Sequence, residues 1–511
     1  MIKRALISVW DKEGLLELGQ FLDKNGVEIV STGGTEKYLS DNGIPVTDIS
    51  EITGMGAVMD GRVKTLNPKI FGGILADRKN ENHLKDLNSI DGKPIDLIVV
   101  NLYPFVDEAV KNNLPMEKAI EYIDIGGPSM LRAAAKNYHS VCVLSDVSDY
   151  SDFMNSFDVE NKDINLEWRK NNAANVFLRT SNYDSNIFQY FNKQNDEKLP
   201  ESKIISLVKK EDLRYGENPH QMGAFYTEVN NDLKWIKHQG KALSYNNYMD
   251  LQSAFDIVSE FEIPSCSIIK HSNPCGFATG QNLVEAYSRA VSCDPVSYFG
   301  GIVAFNNEVD AELAGQLVEP FLECIIAPSF NSDALSILQA KKNLRVITLS
   351  KDYQKNKFEI RSASGGYLIQ EADSFKKEEF DKFKIVTKKE PGQDILKALD
   401  LGWKIVRYVK SNAIVIANKD QILGVGAGQM SRIDSVKNAI RKIQEFDLNL
   451  NDSIMASDAF FPFADSLELA SSYGISSIIQ PGGSIKDKEI IESADKLNMS
   501  MIFTSTRHFY H

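Results

Sequence analysis

Between residues 5 and 143, short apolar runs alternate with amphipathic stretches. Residues 5–9, 27–30 and 97–100 are almost unbroken Val, Ile, Leu and Ala, the composition of strands buried on both faces of a parallel sheet. Residues 13–24 and 35–42 carry helical spacing and predict helices between those strands. The resulting βαβ pattern predicts an α/β domain with its ligand loops at the carboxyl ends of the strands. Helical periodicity returns at 165–191, and the polar, turn-rich stretch 192–202 sets the main domain boundary. Strand-like runs at 267–269, 302–305, 414–417, 422–425 and 477–479 then alternate with helical segments over more than half the chain. That pattern predicts an N-terminal domain over 1–195 and a region 203–511 of two lobes, about 203–365 and 366–511. The division falls where Lys and Glu are dense and apolar residues sparse, between 349 and 389. No short-period repeat or low-complexity tail is visible.

Bulk properties narrow the function classes. A chain of 511 residues at 43% hydrophobic can hold roughly three domains of about 150 residues. The net charge of -13 argues against a general nucleic-acid or membrane-surface binder, which needs a basic face. Any anionic ligand must therefore meet local positive charge. Five cysteines without a close pair suit reduced thiols and a cytoplasmic protein. The opening residues are polar too soon for a signal peptide, and no run approaches the ~18 apolar residues of a membrane span. Neither C-x-x-C nor H-E-x-x-H spacing occurs, which disfavours zinc.

Three segments carry candidate chemistry. Lys270-His271-Ser272-Asn273-Pro274-Cys275-Gly276 follows the apolar run at 266–269 and puts a cation and a base side by side. On a regular strand the two would point to opposite faces, so one site can use both only where the backbone leaves strand geometry. Asn273-Pro274 and Gly276 are expected to supply that break. Ser31-Thr32-Gly33-Gly34-Thr35 follows a strand and opens a helix, which makes a phosphate cradle of backbone N–H groups at the positive helix end. Ser8 and Lys12 bracket the end of the first strand, Arg62 and Lys64 add cations, and Asp124-Ile125-Gly126-Gly127-Pro128 forms a second glycine turn before a helix ending in Lys136. Converging lysines can have lowered pKa values and act as acids or bases. Arg214, in Asp212-Leu213-Arg214-Tyr215-Gly216-Glu217-Asn218-Pro219-His220-Gln221, has the donor fork to clamp a phosphate.

The segments Arg62-Val63-Lys64-Thr65-Leu66, Asn101-Leu102-Tyr103-Pro104-Phe105 and Asp124-Ile125-Gly126-Gly127-Pro128-Ser129-Met130 resemble the inosine monophosphate (IMP) cyclohydrolase domain of the bifunctional purine biosynthesis family. The decapeptide 212–221, the 270–276 segment, Gly424-Val425-Gly426-Ala427-Gly428-Gln429-Met430-Ser431-Arg432 and Ser457-Asp458-Ala459-Phe460-Phe461-Pro462-Phe463 resemble its transformylase portion, in the same order. The resemblance implies a methylglyoxal synthase-like first domain and two cytidine deaminase-like lobes without catalytic zinc. It implies formyl transfer from 10-formyltetrahydrofolate to aminoimidazole carboxamide ribonucleotide (AICAR), then closure of the formylated product (FAICAR) to IMP. Ring closure would use Lys136 for proton transfer with Lys64, Tyr103 and Asp124 in support. Ser8, Lys12, Ser31, Thr32, Gly33, Gly34, Thr35, Arg62, Thr65, Asn101, Ile125, Gly126 and Gly127 would hold that nucleotide. Formyl transfer would use His271 as base and Lys270 as oxyanion or leaving-group partner. Arg214, Tyr215, Gly300, Glu323, Asn412 and Arg432 would bind its nucleotide, and Phe460, Asp465 and Arg507 the folate. A homodimer is implied, a catalytic metal is not, and a monovalent cation is left open.

The chain departs from the family pattern at Trp10, where a small residue, commonly serine, is usual, at Asn67, where T-L-H-P-K has histidine, and in its closing segment 504–511, which keeps Arg507. A zinc nucleoside deaminase is the rival suggested by Pro274-Cys275. It fails because Gly276-Phe277-Ala278 supplies no second thiolate. A nucleotide-sensing scaffold without catalysis is opposed by the joint presence of Lys64, Lys136, Lys270 and His271.

Overall fold

A computed structural model describes the chain except for residues 60, 193–198, 230–234, 354 and 375–381. Two compact units are present, Met1–Leu207 and Val208–His511. Part of the expected boundary, 193–198, lies outside the described residues.

In the first unit, β1 (Arg4–Val9), β2 (Glu28–Ser31), β3 (Thr47–Asp48), β4 (Leu97–Asn101) and β5 (Cys142–Leu144) form one parallel sheet in the order β3-β2-β1-β4-β5. Separate apolar clusters cover its two faces, one around Ile7, Leu18 and Phe153, the other around Leu6, Ile98 and Leu131. Burial on both faces is why these strands read as unbroken apolar runs. The strand order reverses between β1 and β4, so their carboxyl ends open a crevice there. The expected helix opening at 31–35 is present, and the expected glycine turn at 124–128 proves to be helix from Gly126. Gly33-Gly34 begin the helix Gly33–Asp41, and Gly126-Gly127-Pro128 begin the helix Gly126–Lys136. A first helical turn leaves its N–H groups unpaired, so proline costs nothing there.

Strands of the second unit are β6 (Leu207–Asp212), which starts one residue before it, β7 (Ala224–Glu228), β8 (Trp235–Gln239), β9 (Ser265–Lys270), β10 (Asn273–Thr279), β11 (Ile302–Phe305), β12 (Cys324–Ala327), β13 (Arg345–Leu349), β14 (Phe358–Ala363), β15 (Gly366–Glu371), β16 (Lys384–Ile385), β17 (Ile414–Ala417), β18 (Ile422–Gly426), β19 (Ile454–Ser457), β20 (Ser477–Gln480) and β21 (Ser500–Phe503). They build two six-stranded sheets, β10-β9-β11-β12-β13-β8 and β16-β21-β20-β19-β17-β18. Read from β10 and from β18, the two sheets have one topology: two antiparallel pairings, two parallel, one antiparallel. The repeat spans a whole lobe, which is why no short period shows. A shared core joins the sheets through Ile269, Ile302, Val415, Ile454 and the fully buried Trp403. Residues 365–366, the expected dividing point, fall at the tip of the β14–β15 hairpin, which lies in sequence between the two sheets.

Both six-stranded sheets take a helix onto an edge strand at glycine. A methyl group at Gly276 would stand 2.2 Å from the Ala290 carbonyl oxygen, and one at Gly426 2.0 Å from that of Ser435. These neighbours are backbone and cannot swing away. Gly426→Ala is therefore expected to cost about 3 kcal/mol, read as a lower urea midpoint at unchanged slope.

The segment 270–276 is corrected. It is a tight hairpin rather than an open loop: Lys270 ends β9, His271-Ser272 make the turn, and Asn273 to Thr279 form β10. His271 (φ 51°) and Ser272 (φ 58°) supply the break, since a two-residue hairpin turn needs positive φ at both positions. Pro274 is accommodated because β10 is an edge strand with a register shift between Pro274 and Gly276.

Candidate active sites

In the first unit local hydrogen bonds tie the ends of β1 and β4 together across the crevice. Asn101 Oδ1 accepts the N–H of Trp10 (2.5 Å) and of Asp11 (3.0 Å), and its amide donates to the Asp11 carbonyl (3.0 Å). The Trp10 ring lies 5.0 Å from that of Tyr103, and a cleft of about 620 Å³ opens beside Trp10, Lys12, Asn101 and Leu102. At the helix start Gly33–Gly34, space beyond Gly34 is open, and the Lys64 ammonium sits 3.6 Å from where a Gly33 side chain would begin. An exposed helix N-terminus beside an ammonium is the cradle an anion needs. Thr65 Oγ1 reaches the Gly126 position, so the loops 31–35, 61–65 and 124–127 meet.

Asp124 sits under this group. Its carboxylate accepts the Gly127 N–H (2.8 Å), with the Tyr103 and Gly126 backbones also bonded to it. Burial pushes its carboxyl above the usual range against those hydrogen bonds. Burial, and next the Asp124 charge, push the Tyr103 phenol up as well. Tyr183, which sequence reasoning missed, accepts the Asp124 N–H through its hydroxyl (2.8 Å), and burial pushes that hydroxyl up to about 12.

Four expected contacts are placed differently. The Ser31 hydroxyl points inward to the Ile7 carbonyl (2.7 Å). Lys12 donates to the Val9 and Trp10 carbonyls and to Thr35 Oγ1, which itself bonds the Val9 backbone, and burial holds the Lys12 ammonium below its usual pKa. Arg62 pairs with Glu121 at the surface. Lys136 ends the helix that Gly126 begins, about 15 Å away at 1.5 Å per residue, and is exposed. It does not join Lys64, Tyr103 and Asp124. Ser8 and Thr32 are half-buried and Ile125 is exposed beside that group.

In the second unit Lys270 donates to the Phe299 carbonyl (2.6 Å), and its ammonium stands 3.3 Å from the Gly300 side-chain position. The Glu323 N–H binds the Gly301 carbonyl (3.1 Å), and Arg345 holds the Glu323 carboxylate (2.6 Å). Lys270, Gly300 and Glu323 thus meet at the amino ends of β11 and β12, where antiparallel β9 terminates. These are the amino ends of the parallel strands, unlike the carboxyl-end crevice of the first unit, because β9 runs antiparallel to β11. His271 is exposed on the turn, and Asp250 lies beneath it.

The hairpin reaches the segment leading into β17: Asn273 Oδ1 accepts the Lys410 N–H (3.0 Å). Lys410, also missed from sequence, lies 3.9 Å over the Tyr510 ring, and burial, then Arg361, hold its ammonium below the usual pKa. Asn412 is fixed by Arg432 (2.9 Å to Oδ1) and by the Gln429 and Met430 carbonyls. Arg432 itself is buried against Asp458, Ser457 and the Ala413 carbonyl, so it orients Asn412 and presents no guanidinium face. Arg214, exposed and 4.6 Å over the Tyr215 ring, sits beside the start of the helix Tyr245–Val258 that carries Asp250. Phe461 is buried, while Phe460 and Phe463 are exposed, with the Lys486 ammonium 4.3 Å over Phe463. Asp465 opens the helix Asp465–Ser472, and Arg507 lies exposed over Phe509 in the closing segment, which His508 ties to the Asp458 carbonyl (3.0 Å). Among the described residues no group of three His, Cys, Asp or Glu is placed to hold a metal, and no helix is long and apolar enough to cross a membrane.

A family model described as AICARFT/IMPCHase bienzyme matches residues 134–442, and one described as an MGS-like domain matches 14–129. The chain is similar over its whole length to proteins named bifunctional purine biosynthesis protein PurH. It is 47% identical to that of Caldicellulosiruptor saccharolyticus over 519 residues, 48% to that of Halalkalibacterium halodurans over 517 and 47% to that of Clostridium botulinum over 514, with 100% of both chains covered each time. The crystal structure of ForH matches 37% of this chain and 96% of its own at 32% identity and a TM-score of 0.34.

Proposed function

This chain belongs to the AICARFT/IMPCHase bienzyme family, and from that membership we propose that its two reactions are run by separate residue groups, one in each unit. It is a bifunctional enzyme of purine biosynthesis, an AICAR formyltransferase that uses 10-formyltetrahydrofolate and an IMP cyclohydrolase, with an MGS-like first domain. The observation that carries the division is the gathering of Lys270, Gly300 and Glu323 around the His271 hairpin in the second unit, while Lys64, Tyr103 and Asp124 gather in the first.

In formyl transfer, the nucleotide's amine attacks the formyl carbon and His271 takes the amine proton. The Lys270 ammonium, steadied by the Phe299 carbonyl, offsets charge on the oxygen of the tetrahedral adduct. The bond to the folate nitrogen then breaks, and that nitrogen leaves with a proton. Asn412 and Arg214 would hold the nucleotide, with Arg432 acting through Asn412. The exposed rings of Phe460 and Phe463 with Lys486 and Arg507 suit an aromatic, anionic folate. In ring closure, the carboxamide nitrogen attacks the formyl carbon and the adduct's hydroxyl leaves as water. Gly33, Gly34 and Lys64 would hold the phosphate end, and Lys64, Tyr103 and Asp124 would move the protons. Lys136, assigned by resemblance, would act only from the far end of its helix.

The shared topology of the two sheets supports reading the larger unit as two cytidine deaminase-like lobes. A homodimer in the cytoplasm is the assembly we infer from the family. The test of the whole reading is to incubate the purified protein with AICAR and formylated folate and follow IMP. One IMP per formyl group consumed is expected, and formyl consumption without IMP would remove the cyclohydrolase assignment.

A further inference from the structure

We propose that Asp250 is a positioning residue of formyl transfer, which holds the His271-Ser272 turn in its left-handed conformation and so aims the imidazole. The inference rests on the reading of His271 as the base. A two-residue turn with positive φ at both positions suits Asn-Gly, and His and Ser carry a steric cost there. Something outside the hairpin must offset that cost. Asp250 does so with one carboxylate, which accepts the Ser272 N–H (2.7 Å), the Ser272 hydroxyl (3.2 Å) and the His271 N–H. A charged acceptor makes each of these bonds stronger than a neutral one would.

Its platform is rigid. The helix Tyr245–Val258 begins with a capping box between Ser244 and Asn247 and buries Leu251, Ala254 and Phe255. Burial pushes the Asp250 carboxyl up, while the Ser272 and His271 bonds and the nearby imidazole pull it back toward the charged form. From the strand side, Asn273 closes the turn by donating to the His271 carbonyl (3.0 Å). The imidazole is therefore carried on a backbone clamped at both ends.

The test compares D250N, D250A and D250A/S272G with the parental enzyme and with S272G alone, with H271A in parallel. Misplacing a catalytic group by about 1 Å costs up to about a hundredfold, so kcat for formyl transfer should fall about thirtyfold in D250A with the nucleotide KM within about threefold. Glycine adopts positive φ without strain, so D250A/S272G should regain at least about fivefold over D250A, read against S272G alone. D250N keeps size and one acceptor oxygen and should lie between, which separates loss of position from loss of fold. Parental kcat in D250A, a loss confined to KM, or no recovery on adding glycine would each overturn the positioning role. Parental kcat in H271A would instead overturn the base itself.

Discussion

His271→Ala is expected to lower formyl transfer about a thousandfold, in the middle of the range for a lost general base, while closure of added FAICAR stays within about twofold. The first effect follows from the poor nucleophile. An amine on an electron-poor ring attacks only as its proton leaves, and His271 is an exposed base on the turn that follows Lys270, whose ammonium stands beside Gly300. The second effect follows from the fold. Every residue gathered for ring closure lies in Met1–Leu207, and the hairpin lies in Val208–His511. Assays of both half-reactions on one preparation check it, with ring closure serving as the control for intact protein.

Lys64→Met is expected to slow ring closure about a hundredfold and to leave formyl transfer at the parental rate, since an ammonium that meets an anion or a developing charge contributes on that scale. Lys64 is chosen on position: its ammonium stands beside Gly33 at an open helix N-terminus. Lys136 has the family's assignment but stands at the other end of the helix Gly126–Lys136. Single-turnover closure of FAICAR in Lys64→Met and Lys136→Met ranks the two. The larger loss should fall on Lys64, and the opposite order would show that protons travel from the far end of that helix.

The first unit was largely legible in the sequence because strands buried on both faces write themselves as unbroken apolar runs, and its loops follow those strands directly. The second unit was legible in its motifs more than in its geometry. Cys324–Ala327 and Arg345–Leu349 are four and five residues long, too short for periodicity to separate strand from helix. Asn273-Pro274 has the stronger turn composition yet forms a strand, and the turn falls on His271-Ser272, where a carboxylate 22 residues earlier and a sheet edge favour it. Lys410 meets Asn273 across 137 residues. Arg432, which the resemblance places among the nucleotide-binding residues, is held by Asp458 from 26 residues on. Contacts of that range leave no local trace, and they set most of what was misplaced.

The most direct measurement mixes purified His271→Ala and Lys64→Met proteins with AICAR and formylated folate and follows IMP. Each variant alone should make almost none. Together they should restore steady formation after a lag, because Lys64→Met releases FAICAR and His271→Ala closes it. A mixture as inactive as either variant alone would contradict two independent sites on one chain.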